Sequence, residues 1–358
     1  MHTTRNPLVL SIFALLLFAF AGCAPVGPPT IARDRFDYTT AIADSWKRQM
    51  LLNIVKIRYG DAPIFLDVAS IINQYSFETE LRGTLGWSEP PSMQRQELGG
   101  TGRYYDRPTI TYNPLTGEKF ARNLMTPVAP ATLMSLAEGG YPIDYVFRIL
   151  VHSVNGVRNQ FGGSARMRRA DPEFFTLIEK LRFNQNSGNV SLRVKKVEGQ
   201  NALIMIFRKE PGEEVQAAGK DVRRILGLKE DASDFKVVYG SAPTSDEEIA
   251  ILTRSIIEVL SDISSTIEVP AEHVAEKRTP PTMDSEGEGV KGPMIRIHYA
   301  RESPGEAFAA ATYRDGWFWI DDRDYQSKKL FSFLMFVMTL TETGGKEGAP
   351  VVTISAGG

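Results

Sequence analysis

The chain has 358 residues, with 41 Lys and Arg against 43 Asp and Glu, 42% hydrophobic residues and a single cysteine. A formal charge of −2 excludes the strong positive field of a polyanion-binding protein, so no nucleic-acid partner is expected. One cysteine excludes an intramolecular disulfide and a thiolate metal site, and the length suits one large domain or two ordinary ones.

The N-terminus carries a leader. Arg5 supplies a positive start, and Leu8 to Phe20 is apolar except for Ser11. Ala21 and Gly22 then lead into Cys23. The apolar run is shorter than the roughly 20 residues that span a bilayer, so a cleaved signal is expected rather than a membrane helix. This stretch resembles the leader of bacterial lipoproteins, in which an aliphatic residue and two small residues precede an acylated cysteine. Phe20 stands where that family usually has Leu. The resemblance covers residues 1–24 and implies removal of residues 1–22 and lipid, such as palmitate, on Cys23. Ala24 is not the Asp that marks inner-membrane retention in that family. The implied location is therefore the outer membrane, lipid-anchored and facing the periplasm.

Residues 23–36 are expected to form the acylated Cys and a short tether, extended by the prolines of APVGPPTI. A main domain is expected over 37–269. Thr39 or Thr40 is placed to cap a helix running to about Tyr59, with Ile42, Trp46, Met50, Ile54 and Ile57 as its apolar stripe. The period then changes. Tyr75, Phe77, Leu81, Leu85 and Trp87 alternate with polar residues, which predicts a strand over 73–88. A returning segment over 98–112 completes a long hairpin, 73–112.

The middle of the chain reads as helix and strand in turn. Helices are predicted at Pro130 to Glu138, from Pro142 to Val154, from Pro172 to about Phe183, and from Glu213 to Leu226 with Gly227 as its stop. A hairpin is expected between Val190–Val197 and Ala202–Arg208, and a strand at Phe235–Tyr239. Thr244 and Ser245 each precede a Glu by three residues, the pattern of a capping box, so a helix is predicted from there to about Ile263.

Residues 270–292 are rich in charge, Gly and Pro and predict a flexible linker. A C-terminal subdomain, 293–358, is expected beyond it. It comprises strands at Met294–Tyr299, Ala307–Tyr313 and Trp317–Ile320, a helix over Lys328–Leu340 and a closing strand at Val351–Ile354. The mature region is similar to uncharacterised exported lipoproteins through Gln49 to Val55, Arg58-Tyr59-Gly60-Asp61 and Trp317 to Asp324. That likeness carries no known activity.

Candidate chemistry is sparse. Asp321, Asp322 and Asp324 are close enough to bind a divalent cation, but the Gly and distal Glu of a calcium loop are missing. Asp324 as a helix cap is the simpler expectation. Arg158, Arg166, Arg168 and Arg169 form a basic loop suited to lipid headgroups or an acidic partner. His152 is expected on an apolar helix, His298 on a strand and His273 beside the linker. No nucleophile-elbow, zinc-protease or phosphate-loop motif occurs, and no cofactor or metal is expected.

These readings predict an α+β fold with mostly antiparallel sheets and several packed helices. The expected function is a non-catalytic, lipid-anchored binding or scaffolding role in a cell-envelope complex, with envelope proteins as partners. One alternative is a homo-oligomeric outer-membrane export channel to which each chain gives the 75–112 hairpin. The other is a periplasmic enzyme using the 321–324 acidic cluster.

Overall fold

The computed structural model describes residues 28–72, 75–85, 96–106, 109–162, 168–197, 200–208, 212–283 and 292–341. The fold is α+β, as the sequence predicts. The chain forms two compact units: one holds residues 28–45 and 66–113, the other residues 46–65 and 114–341 of those described.

Helix α1 runs from Pro28 to Arg58 and begins upstream of the predicted cap. Thr39 and Thr40 lie inside it. Their hydroxyls donate to the carbonyls of Arg35 and Phe36, four residues back, and cap nothing. Towards its C-terminus Met50, Leu51, Ile54 and Val55 are fully buried, whereas Ile42 is 37% exposed. Met50 and Ile54 of the predicted stripe are in the core, Trp46 and Ile57 are half-buried, and Leu51 and Val55 widen the buried face.

The first unit is dominated by a two-stranded ribbon. Strand β2 (Tyr75–Leu85) pairs antiparallel with β3 (Gln96–Asp106) in unbroken register, from Tyr75 opposite Asp106 to Leu85 opposite Gln96. β1 (Phe65–Ile72) pairs with β4 (Thr109–Leu115). The predicted hairpin is present, and β1, which the sequence reading left out, lengthens it. The Trp87 end of the predicted strand lies outside the described residues.

The second unit is built on a six-stranded sheet in the order β6-β5-β10-β9-β8-β7. Its strands are β5 (Val151–Val154), β6 (Val157–Arg158), β7 (Val190–Val197), β8 (Gln200–Phe207), β9 (Asp234–Tyr239) and β10 (Glu248–Thr253). The β9–β10 pair is parallel and its other pairs are antiparallel. Helices α2 (Glu118–Met125), α3 (Pro130–Glu138), α4 (Ile143–Leu150), α5 (Pro172–Asn186), α6 (Glu213–Leu226) and α7 (Ile256–Ser265) complete this part. α6 ends where Gly227 adopts φ 64, a left-handed cap that glycine takes without a Cβ clash. A short α8 (Ala271–Ala275) precedes a three-stranded sheet, β11 (His298–Ala300), β13 (Gly316–Asp321) and β12 (Ala307–Tyr313), and α9 (Tyr325–Thr341).

Three expectations are corrected here. The helix from Pro142 stops at Leu150, and the chain continues directly as β5. Val151 and Val154 favour the pleated surface, and both are fully buried beside β10. His152 therefore sits on a strand. Thr244 and Ser245 do bond Glu248 and the Glu247 amide, but they close a turn. The residues that follow, Glu248 to Thr253, include the β-branched Ile249, Ile251 and Thr253 and enter the sheet between β9 and β5 instead of coiling. The capping box that opens α7 is Ser255 with Glu258, each side chain bonding the other's amide. Finally, the described part of 270–292 is no linker. His273 and Thr279 are buried, and Met294, Ile297, Phe318 and Phe331 belong to the same core cluster as Met50 and Ile54. The C-terminal hairpin and helix share that core and do not form a subdomain of their own. The closing strand predicted at Val351–Ile354 lies outside the described residues.

Candidate functional site

Arg254 and Asp262 form the most deeply buried charged contact. Both side chains have no exposure, and Arg254 Nη1 lies 3.0 Å from Asp262 Oδ2. The other guanidinium nitrogen donates to the Gln160 carbonyl, and the second Asp262 oxygen accepts from the Gly162 amide at 2.7 Å. Asn159 adds bonds to the carbonyls of Arg148 and Val151, both at 2.9 Å. A charge pair taken out of water is tolerated only when its remaining donors and acceptors are satisfied, and here backbone groups do most of that. The pair ties Gln160 to Arg254, just before α7, and Gly162 to Asp262 in the second half of that helix.

Gly162 is required there. A Cβ at this position would stand 1.8 Å from Ser265 Oγ and 2.5 Å from Ser265 Cβ. Gly162→Ala is expected to cost about 1–3 kcal/mol of stability, the range for forcing volume into a packed site. A urea titration at neutral pH checks it.

Next to this anchor lies a cavity of about 440 Å³. The end of α1 supplies Arg58, Tyr59 and Gly60, α7 supplies Ser261, Ser264 and Ser265, and the segment after α8 supplies Lys277 and Thr279. Arg58 is 4% exposed. It donates to the carbonyls of Ser265 at 3.1 Å and Pro280 at 2.8 Å, and its own carbonyl accepts from Thr279 Oγ1 at 3.0 Å. Burial pulls its pKa down to about 10. Tyr59 shares a 2.8 Å hydrogen bond with His273 Nδ1. Burial, then the neighbouring Tyr299, push the Tyr59 phenol up to about 12.

The Arg58-Tyr59-Gly60-Asp61 run is thereby accounted for residue by residue. Arg58 and Tyr59 hold the 273–280 segment, and Gly60 turns the chain at φ 77. Asp61 accepts a hydrogen bond from the Tyr313 hydroxyl on β12. Arg314, at φ 52 in the turn after β12, lies over the rings of Tyr59 and Tyr313 at 5.0 and 5.4 Å. Asn53, in the other quoted run, exchanges hydrogen bonds with the backbone of Ile64.

Among the described residues none of the cavity's serines is hydrogen-bonded to a histidine, a lysine or a carboxylate side chain. The hydroxyls of Ser261, Ser264 and Ser265 donate to the carbonyls of Ile257, Ser261 and Asp262. Ser264 and Ser265 are buried and Ser261 is half-buried, and Ser265 Oγ also lies 3.7 Å from Met283 Sδ.

The sequence candidates stand elsewhere and do not converge. Asp324 accepts from Ser327 N at 3.1 Å and Ser327 Oγ at 2.7 Å at the start of α9. Asp322 pairs with Lys328 at 2.6 Å, and Asp321 accepts from the Arg323 amide at 2.8 Å. Among the described residues no group of three acidic, His or Cys side chains is arranged to hold a metal ion. Arg168 donates to the Asn159 carbonyl, the Arg158 amide donates to Asp171, and Arg169 is exposed. Arg166 lies outside the described residues, as does Cys23. His298 meets Glu268 at 2.9 Å and lies over Trp319.

His152 is the half-buried neighbour of the arginines. Burial, then Arg254 and Arg168, hold its pKa below the ordinary histidine value. The folded state thus disfavours the proton that the unfolded chain accepts. The resulting stability is present above about pH 6.5 and is lost as pH falls through the lower folded value. His152→Gln is expected to flatten that part of the stability–pH curve, read by urea titrations at pH 7 and below.

The sequence reading missed the cavity. One signal was available: Arg58 follows Leu51 and Ile54 at helical spacing, on the buried face of α1. No family model matches the chain, and no curated protein or solved structure matches it either.

Proposed function

We propose that this chain is a lipid-anchored, non-catalytic scaffolding protein of the cell envelope, held in the outer membrane by Cys23, which assembles with further copies of itself through the β2–β3 ribbon. The observation that carries this reading is the ribbon. Each strand pairs over eleven residues. Among the described residues neither strand has a second neighbour. A lone two-stranded hairpin is marginal in water, and its open edges are templates for further pairing. β3 also carries Gly99, Gly100 and Gly102, and β2 carries Gly83, which weaken a strand that stands alone and suit close approach of another backbone.

The register sorts the ribbon into two faces. The odd-numbered positions of β2 stand opposite the even-numbered positions of β3 and share one face by register. Replacing residues 75–106 with a short Gly-Ser linker is expected to convert an oligomer into a monomer while the second unit keeps its thermal transition. Light scattering coupled to size exclusion reads the mass. An unchanged mass contradicts the proposal.

The same ribbon favours one second reading, an export channel of several subunits. Eleven residues meet the roughly 9–11 that a membrane strand needs. Asp106 falls at the last pair of the register, away from the middle of a would-be span. Single-channel steps in planar bilayers would support that reading, and an oligomer without conductance leaves the scaffold alone.

A further inference from the structure

We propose that the cavity between the end of α1, α7 and the segment after α8 binds a small organic anion bearing hydroxyl groups, of the sugar-phosphate or sugar-acid class. The inference is independent of the ribbon and of the lipid anchor.

Its basis is an uncompensated charge. Arg58 is buried, yet its partners are carbonyl oxygens and the Thr282 hydroxyl; among the described residues no carboxylate reaches it. Its Nε is buried without a hydrogen-bond partner. A buried cation is normally paired, and a donor left unmade inside a protein is costly. The nearby carboxylates are committed elsewhere, Asp262 to Arg254 and Glu276 to Arg278 at 2.6 Å. A bound anion supplies the missing partner.

Lys277 supplies a second charge. It lines the same cavity, is exposed, and has no ion-pair partner among the described residues. Its backbone, at φ 60, is the left-handed residue that ends α8, with the Lys277 and Arg278 amides donating to the carbonyls of Val274 and His273.

The serines define the rest of the ligand. Because their protons are already donated to α7 carbonyls, they offer acceptor lone pairs. They therefore recognise groups that donate, such as sugar hydroxyls. Ile57, Val274 and Pro281 add an apolar wall for a ring face. The volume of about 440 Å³ falls in the range of small-molecule sites.

Calorimetric titration of the full chain with glucose 6-phosphate, glucuronate, glucose and inorganic phosphate tests the assignment. Saturable binding of at least one of the two sugar anions, with glucose silent, is expected. The preference between them identifies phosphate or carboxylate as the anionic group. Lys277→Gln, an exposed change that leaves the fold intact, is expected to weaken that binding about tenfold, a typical effect of removing one charged contact. Arg58→Gln is expected to abolish it. Absence of saturable binding up to about 10 mM, or unchanged affinity in Lys277→Gln, overturns the proposal. Binding of inorganic phosphate alone, with both sugar anions rejected, overturns the hydroxyl-bearing class.

Discussion

Asp262→Ala is expected to lower the unfolding free energy by about 3–5 kcal/mol, the effect of removing one partner of a fully buried ion pair. The magnitude follows from what is left behind. Arg254 remains without exposure, and its charge faces only carbonyls. The Gly162 amide loses its acceptor as well. Removing both charges avoids the orphan. Arg254→Met with Asp262→Leu should therefore recover much of the loss, since apolar replacements of buried pairs are often neutral or better. Guanidinium unfolding of the two variants checks this. A single variant within about 1 kcal/mol of the parent would mean that the pair contributes no more than an exposed one.

Cys23→Ser should have the largest effect on where the protein is found. Each buried CH₂ of a lipid chain contributes roughly 0.8 kcal/mol, and two or more chains give stable anchoring where one gives only marginal binding. A serine hydroxyl offers no thiol for acylation. Incorporation of a palmitate label is expected to vanish, and the fraction pelleting with outer membranes to fall by at least about tenfold, or about 1.4 kcal/mol of partitioning. An unchanged pellet would assign membrane attachment to another part of the chain. Among the described residues no helix is long and apolar enough to cross a membrane.

Local patterns were legible in the sequence wherever one signal acted alone. The helix from Glu213 to Leu226 shows acidic residues in its first turn, basic residues in its last and Gly227 beyond, and it forms over that range. The strand from Ala307 to Tyr313 likewise forms as read. The alternation from Tyr75 onward was enough to place the long hairpin. Failures arose where a local signal met a tertiary demand. Leu150 and Val151 are both apolar, so periodicity alone could not show the change from helix to strand that β10 imposes. Thr244 carries half of a capping box, yet β9 recruits Glu248 to Ile251 into the sheet. Residues 270–283 look mobile because they are polar. They are ordered by contacts to Arg58, Tyr59 and Ser265, which lie far away in sequence. For the same reason the cavity stayed hidden: its cations and hydroxyls come from three separate segments, none of which is a motif.

The central claim, that the ribbon is completed by other copies of the chain, is tested most directly by amide hydrogen exchange on the full chain kept in mild detergent. In an isolated antiparallel pair every second amide of each strand points away from its partner and exchanges freely. Pairing at both edges protects these as well. The account predicts that residues 75–85 and 96–106 are protected at successive positions, inward and outward alike, and that the outward set becomes labile on dilution to monomer. Free exchange at every second position in the undiluted sample would contradict it.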